Sequence, residues 1–145
     1  MRIGVAVALA ALSIALAGVA VGQDDPIAAR QALMKTNNES AKTAFLMVKG
    51  TNPFDATAAT AAMNEIAADM VTFPTLFPAG SDQGDTHASP DIFSNMDDFK
   101  ALAAQLVIDA KAAAEAANGG LDAFKVAFDA VNKDCFGCHQ KYRVK

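Results

Sequence analysis

The 145-residue chain carries 12 Lys and Arg against 16 Asp and Glu, a formal net charge of −4, and 52% of its residues are hydrophobic. That length suits one domain with a core of its own. No segment gathers Lys and Arg into a cluster, which argues against a nucleic-acid partner, and no run sustains the alternation of a half-buried strand.

The chain opens with one positive charge at Arg2, followed by an apolar, charge-free run over residues 3–21. Ala20-Val21-Gly22 then offers small residues, and Gln23-Asp24-Asp25 turns polar. This is the order of a secretory signal. A retained membrane anchor is the competing reading, since the run is nearly long enough to span. The small-residue exit followed by acidic residues favours cleavage. Residues 1–22 are thus expected to be a cleaved signal peptide, and residues 23–145 a mature, periplasmic domain without stable membrane insertion. Arg2 is the only charged residue removed, so the formal charge changes from −4 to −5.

Four helices are predicted in the mature chain. The first covers residues 26–48, with Pro26 suited to a first turn behind Asp24 and Asp25. Ile27, Arg30, Leu33, Met34, Asn37 and Ala41 follow helical spacing. Gly50-Thr51-Asn52-Pro53 ends it. The second covers 55–72, capped by Asp55, with Ala59, Met63, Ile66, Met70 and Phe73 as its apolar stripe. Residues 74–95 carry prolines and glycines and form a long connection, with one short turn at 91–94. The third helix covers 96–117, with Phe99, Leu102, Leu106, Val107 and Ala110 expected inward. Asn118-Gly119-Gly120 breaks it. The fourth covers 121–142, with Phe124, Phe128 and Val131 on its apolar side. Four helices of about twenty residues, each ~30 Å long, imply an all-α, antiparallel four-helix bundle.

The fourth helix contains Cys135-Phe136-Gly137-Cys138-His139, a C-x-x-C-H haem-attachment pattern. Two thiols must add to two vinyl groups on one porphyrin edge, and positions i and i+3 of a helix share a face. The adjacent histidine can then direct a neutral imidazole to the iron. A thioredoxin-like pair would want a βαβ context. A structural zinc site would need two more ligands, and the one other histidine is His87, in the loop and expected to face solvent. One covalent haem c on Cys135 and Cys138, with His139 on iron, is therefore expected, attached to the last helix and held inside the bundle.

A haem motif on the last of four helices resembles the class II cytochromes c, the cytochrome c′ family. Arg30-Gln31-Ala32-Leu33-Met34-Lys35, Leu76-Phe77-Pro78-Ala79-Gly80-Ser81, Ser89-Pro90-Asp91-Ile92-Phe93 with Phe99, and Tyr142-Arg143 after the motif all look like that family's segments. The resemblance spans the whole mature chain. It implies a distal position at Met34: a second axial ligand in the family's low-spin branch, or a lid over open iron in its five-coordinate members. The run from Leu33 to Gly50 looks more like the low-spin branch. The resemblance also implies that Arg30 can pair with a haem propionate. Arg143, one turn beyond His139, can approach the haem edge. The implied function is electron transfer with a redox partner protein, with capture of NO or CO as the alternative. A homodimer is among the assemblies the family forms. No catalytic acid–base set is legible, and an enzyme is not expected. The remaining methionines, Met47, Met63, Met70 and Met96, read as core filler.

Overall fold

A computed structural model describes residues 25–144 of the chain; the expected signal peptide at 1–22 lies outside the described residues. Four long helices carry the architecture: α1 (Pro26–Val48), α2 (Ala56–Thr72), α4 (Met96–Ala116) and α5 (Leu121–Tyr142), with a single short turn of helix, α3 (Asp91–Ser94), in the long connection. The third predicted helix stops one residue early, because Ala117–Gly119 tightens into a 3-10 turn ahead of Gly120, whose φ is 91°.

Local chemistry sets the ends. Asp25 Oδ1 accepts from the backbone N–H groups of Ile27 and Ala28 at 2.9 and 3.0 Å, capping α1. Asp55 does the same for α2 through Ala58 N–H at 3.0 Å. At the far end of α1, Gly50 takes φ 72° and donates to Met47 O. Thr51 reaches back to Leu46 O, so the last carbonyls are satisfied by a left-handed cap.

The core lies chiefly among α2, α4 and α5. α2 buries Ala59, Met63, Ile66 and Met70, and α5 buries Phe124, Phe128 and Val131, as the apolar spacing predicts. The Phe124 and Phe128 rings stack at 5.6 Å. Burying one such ring contributes about 1.5–3 kcal/mol, so this pair fixes the first half of α5 in place. On α4, Phe99, Leu106 and Ala110 are buried as expected, whereas Leu102 and Val107 are only half-buried. Met47, Met63 and Met70 are core residues, while Met96 is half-buried.

Contacts are rich between α1 and α2, α2 and α4, and α4 and α5, but sparse between α1 and α5. The second half of α5 therefore stands across a gap from the first half of α1. A strap crosses the end of that gap. Ser89 N–H donates to Tyr142 O at 2.9 Å and Val144 N–H to His87 O at 2.8 Å, giving one antiparallel bridge between Ala88 and Arg143. Tyr142 is itself buried edge-on against Phe99 at 5.4 Å, and its hydroxyl donates to Asp98. These contacts hold the end of α5, and with it His139, to α4 and the long connection. Among the described residues, no helix is long and apolar enough to cross a membrane.

Candidate functional site

The gap between α1 and α5 is a cleft of about 440 Å³, within the range of small-molecule and cofactor sites. α1 contributes Ile27, Arg30 and Met34; α5 contributes Cys138 and His139, with Arg143 just past its end; Phe73, Phe77 and Phe99 wall it. Arg30, Met34, Cys138, His139 and Arg143, selected from both ends of the chain, thus meet in one place, while Cys135 does not line the cleft. Cys135 is half-buried at the core edge beside Cys138, one helical turn away, with no disulfide between them. His87 is exposed on the strap, as expected, at the rim of the same cleft.

The electrostatics follow from burial. The Cys135 thiol is pushed up to about 11, first by desolvation and then by the Asp134 and Cys138 charges. Cys138 moves the same way, by burial and then by Asp98. His139 is lowered by the protein around its ring and by the Arg143 cation. The imidazole is thereby biased to the neutral form that binds metal. Arg143 itself is exposed and closes α5 as its C-cap.

Arg30 is not a surface arginine. It is 4% exposed, donates to Ser81 O at 2.7 Å and Ser81 Oγ at 3.4 Å, and lies over the Phe77 ring at 4.4 Å. Burial lowers its pKa, partly offset by the Asp25 carboxylate. Its Nε is buried with no partner, a cost for a charged group that an anion in the cleft would remove.

A haem fits this donor set. Two thiols share one helix face, a neutral imidazole follows them, a thioether lies on the opposite helix, aromatic walls surround the space, and a buried cation with a free N–H borders it. Cys135 and Cys138 would carry the porphyrin, His139 would hold the iron, and Arg30 would meet a carboxylate.

Sequence reasoning missed Ser81 as the anchor of Arg30, Asp98 as the acceptor for Tyr142, and a carboxyl pair just before the motif. Asp134 is raised from 3.8 to about 6, by burial first and then by a hydrogen bond with Asp109 and its charge. Its Oδ2 is buried without a partner, which favours the protonated carboxyl. The fold therefore binds a proton that the unfolded chain has released between pH ~4 and ~6, so stability falls as pH rises through that window. Asp134→Asn is expected to flatten this dependence and raise the melting temperature of the holoprotein at pH 7. An unchanged slope from pH 4 to 7 would dismiss the raised Asp134 pKa.

A family profile for cytochrome c′ matches residues 25–143. A cytochrome c-556 from Agrobacterium fabrum is 39% identical over 116 residues, which cover 80% of this chain and 79% of that protein. A cytochrome c′ from Rhodopseudomonas palustris is 36% identical over 141 residues, 94% of each chain. The solved structure of a cytochrome c′ from Rhodopseudomonas palustris matches with a TM-score of 0.79 and 34% identity over 85% of this chain and 98% of that one. The four-helix bundle and the haem cofactor expected from the sequence agree with these relatives. With a match over nearly all described residues, and with the two thiols of Cys135 and Cys138 in place, the chain belongs to the cytochrome c′ family, whose members carry covalently attached haem c.

Proposed function

We propose that this protein is a periplasmic electron carrier with one haem c bonded to Cys135 and Cys138 and with His139 and Met34 as axial ligands. The observation that carries the reading is that Met34 and His139 line one cleft from two different helices. Bound there, the haem supplies a one-electron couple, and a thioether opposite imidazole favours a high potential. The chain's residues do the rest. Phe73, Phe77 and Phe99 exclude water, Arg30 meets a propionate through its spare N–H, and the Tyr142–Asp98 contact and the strap hold His139 in position. A partner redox protein would exchange the electron. No residue is assigned a catalytic step.

A second reading is a five-coordinate haem protein that binds small gases such as NO or CO, with Met34 only covering the iron. It shares with the first reading the same cleft between α1 and α5 and differs only at the Met34 position. Both readings require covalent haem. Denatured, acid-precipitated protein should keep its haem, and mass spectrometry should find one haem on the peptide holding Cys135 and Cys138. Haem that extracts freely into acidic organic solvent would sink both. The electron-carrier reading further expects a reversible one-electron wave for the holoprotein.

A further inference from the structure

A second, apolar groove opens on the other side of the same wall. It runs between α2 and α4, about 790 Å³ in volume, and is lined by Met70, Val71, Thr75, Phe77, Ala103 and Ala104. Phe77 belongs to both spaces: it lines the groove and the haem cleft. Its backbone follows a 3-10 turn with φ −119° and ψ 59°, so its ring is not carried by a long helix.

The deep residues of the groove reach the Met34 turn of α1 from both sides. Phe77 lies under the Arg30 guanidinium at 4.4 Å. Met70 Sδ accepts from Asn37 Nδ2 at 3.5 Å. Arg30 and Asn37 stand four residues before and three residues after Met34, on its face of the helix. The groove therefore backs onto the Met34 side of the cleft, and the Phe77 ring, packed among Phe73 and Phe99, is the side chain the two spaces share.

We propose that this groove binds small apolar gases such as CO or NO and conducts them past the Phe77 ring to the Met34 side of the haem. The inference rests on the covalent-haem reading above and holds whether Met34 ligates the iron or only covers it. An uncharged diatomic loses little on leaving water and needs no polar partner. The groove wall offers it methyl, thioether and ring surface. A charged or larger ligand is stopped by the Phe77 ring, packed edge-on against Phe73 at 5.2 Å and Phe99 at 4.9 Å.

The test uses the holoprotein and two probes. Xenon under pressure reports the groove regardless of iron ligation and should be found against Met70, Phe77 and Ala103. CO recombination after flash photolysis reports the route. It is measured in a Met34→Ala background, so that an axial thioether cannot limit the rate. Ala104 is exposed at the groove, so Ala104→Trp tolerates folding and should slow bimolecular CO recombination severalfold. Phe77→Ala should speed it severalfold. Absence of xenon from the groove, or an Ala104→Trp protein that takes up CO at the parent rate, would overturn the route. Xenon kept out because a second copy covers this face, seen as a dimer that Ala104→Trp dissociates, would overturn it as well. Xenon in the groove with no CO-difference spectrum would instead remove the haem reading, and the route with it.

Discussion

Met34→Ala is expected to turn a low-spin ferric protein towards high spin, to lower its reduction potential and to let CO bind far faster. Met34 is half-buried on α1 and lines the cleft that His139 lines from α5. If its thioether holds the iron, alanine removes a ligand that favours the ferrous state, which is why the potential falls. With haem filling the cleft, truncation also leaves a void on the Met34 face of α1, with a stability cost of about 2–5 kcal/mol. If Met34 only covers the iron, the parent protein is already high-spin. The variant then changes access without changing coordination. Optical spectra and a redox titration of parent and variant separate the two.

Arg30→Met is expected to lower both the stability and the potential. Methionine keeps most of the volume but deletes the donors to Ser81 O and Ser81 Oγ. A hydrogen bond from a charged group contributes about 1.5–3 kcal/mol, and its loss here also leaves the Ser81 carbonyl facing a thioether. The cation-π contact with Phe77 goes as well. The potential should fall because a positive charge beside the haem opposes the extra positive charge of ferric iron. Thermal melts read the first effect and voltammetry the second. A destabilised variant with an unchanged potential would make Arg30 a purely structural clamp for the Phe77–Ser81 loop.

What could be read from the sequence depended on how local the chemistry was. Cys135, Cys138 and His139 were legible because attachment to one porphyrin edge dictates their spacing on a helix. The helix limits were legible because Asp25, Asp55, Gly50 and Gly120 cap or break the chain within a turn. Periodicity found Phe99, Phe124 and Phe128. It placed Val107 too deep, because α4 faces an open groove there rather than a neighbouring helix. Pairings across long separations were not legible. Arg30 meets Ser81 and Asp134 meets Asp109 only because the bundle brings separate elements together. No local pattern marks a buried arginine or a raised carboxyl pKa. The Phe77 partition likewise depends on two cavities that exist only after packing.

The central claim, iron held between His139 and Met34, is tested most directly by the ferric optical spectrum of the parent holoprotein at neutral pH. A low-spin spectrum with the weak far-red band of thioether-ligated haem, lost in Met34→Ala, is the predicted result. A high-spin, five-coordinate signal in the parent protein would contradict it, leaving Met34 as a lid and gas binding as the function of the cleft.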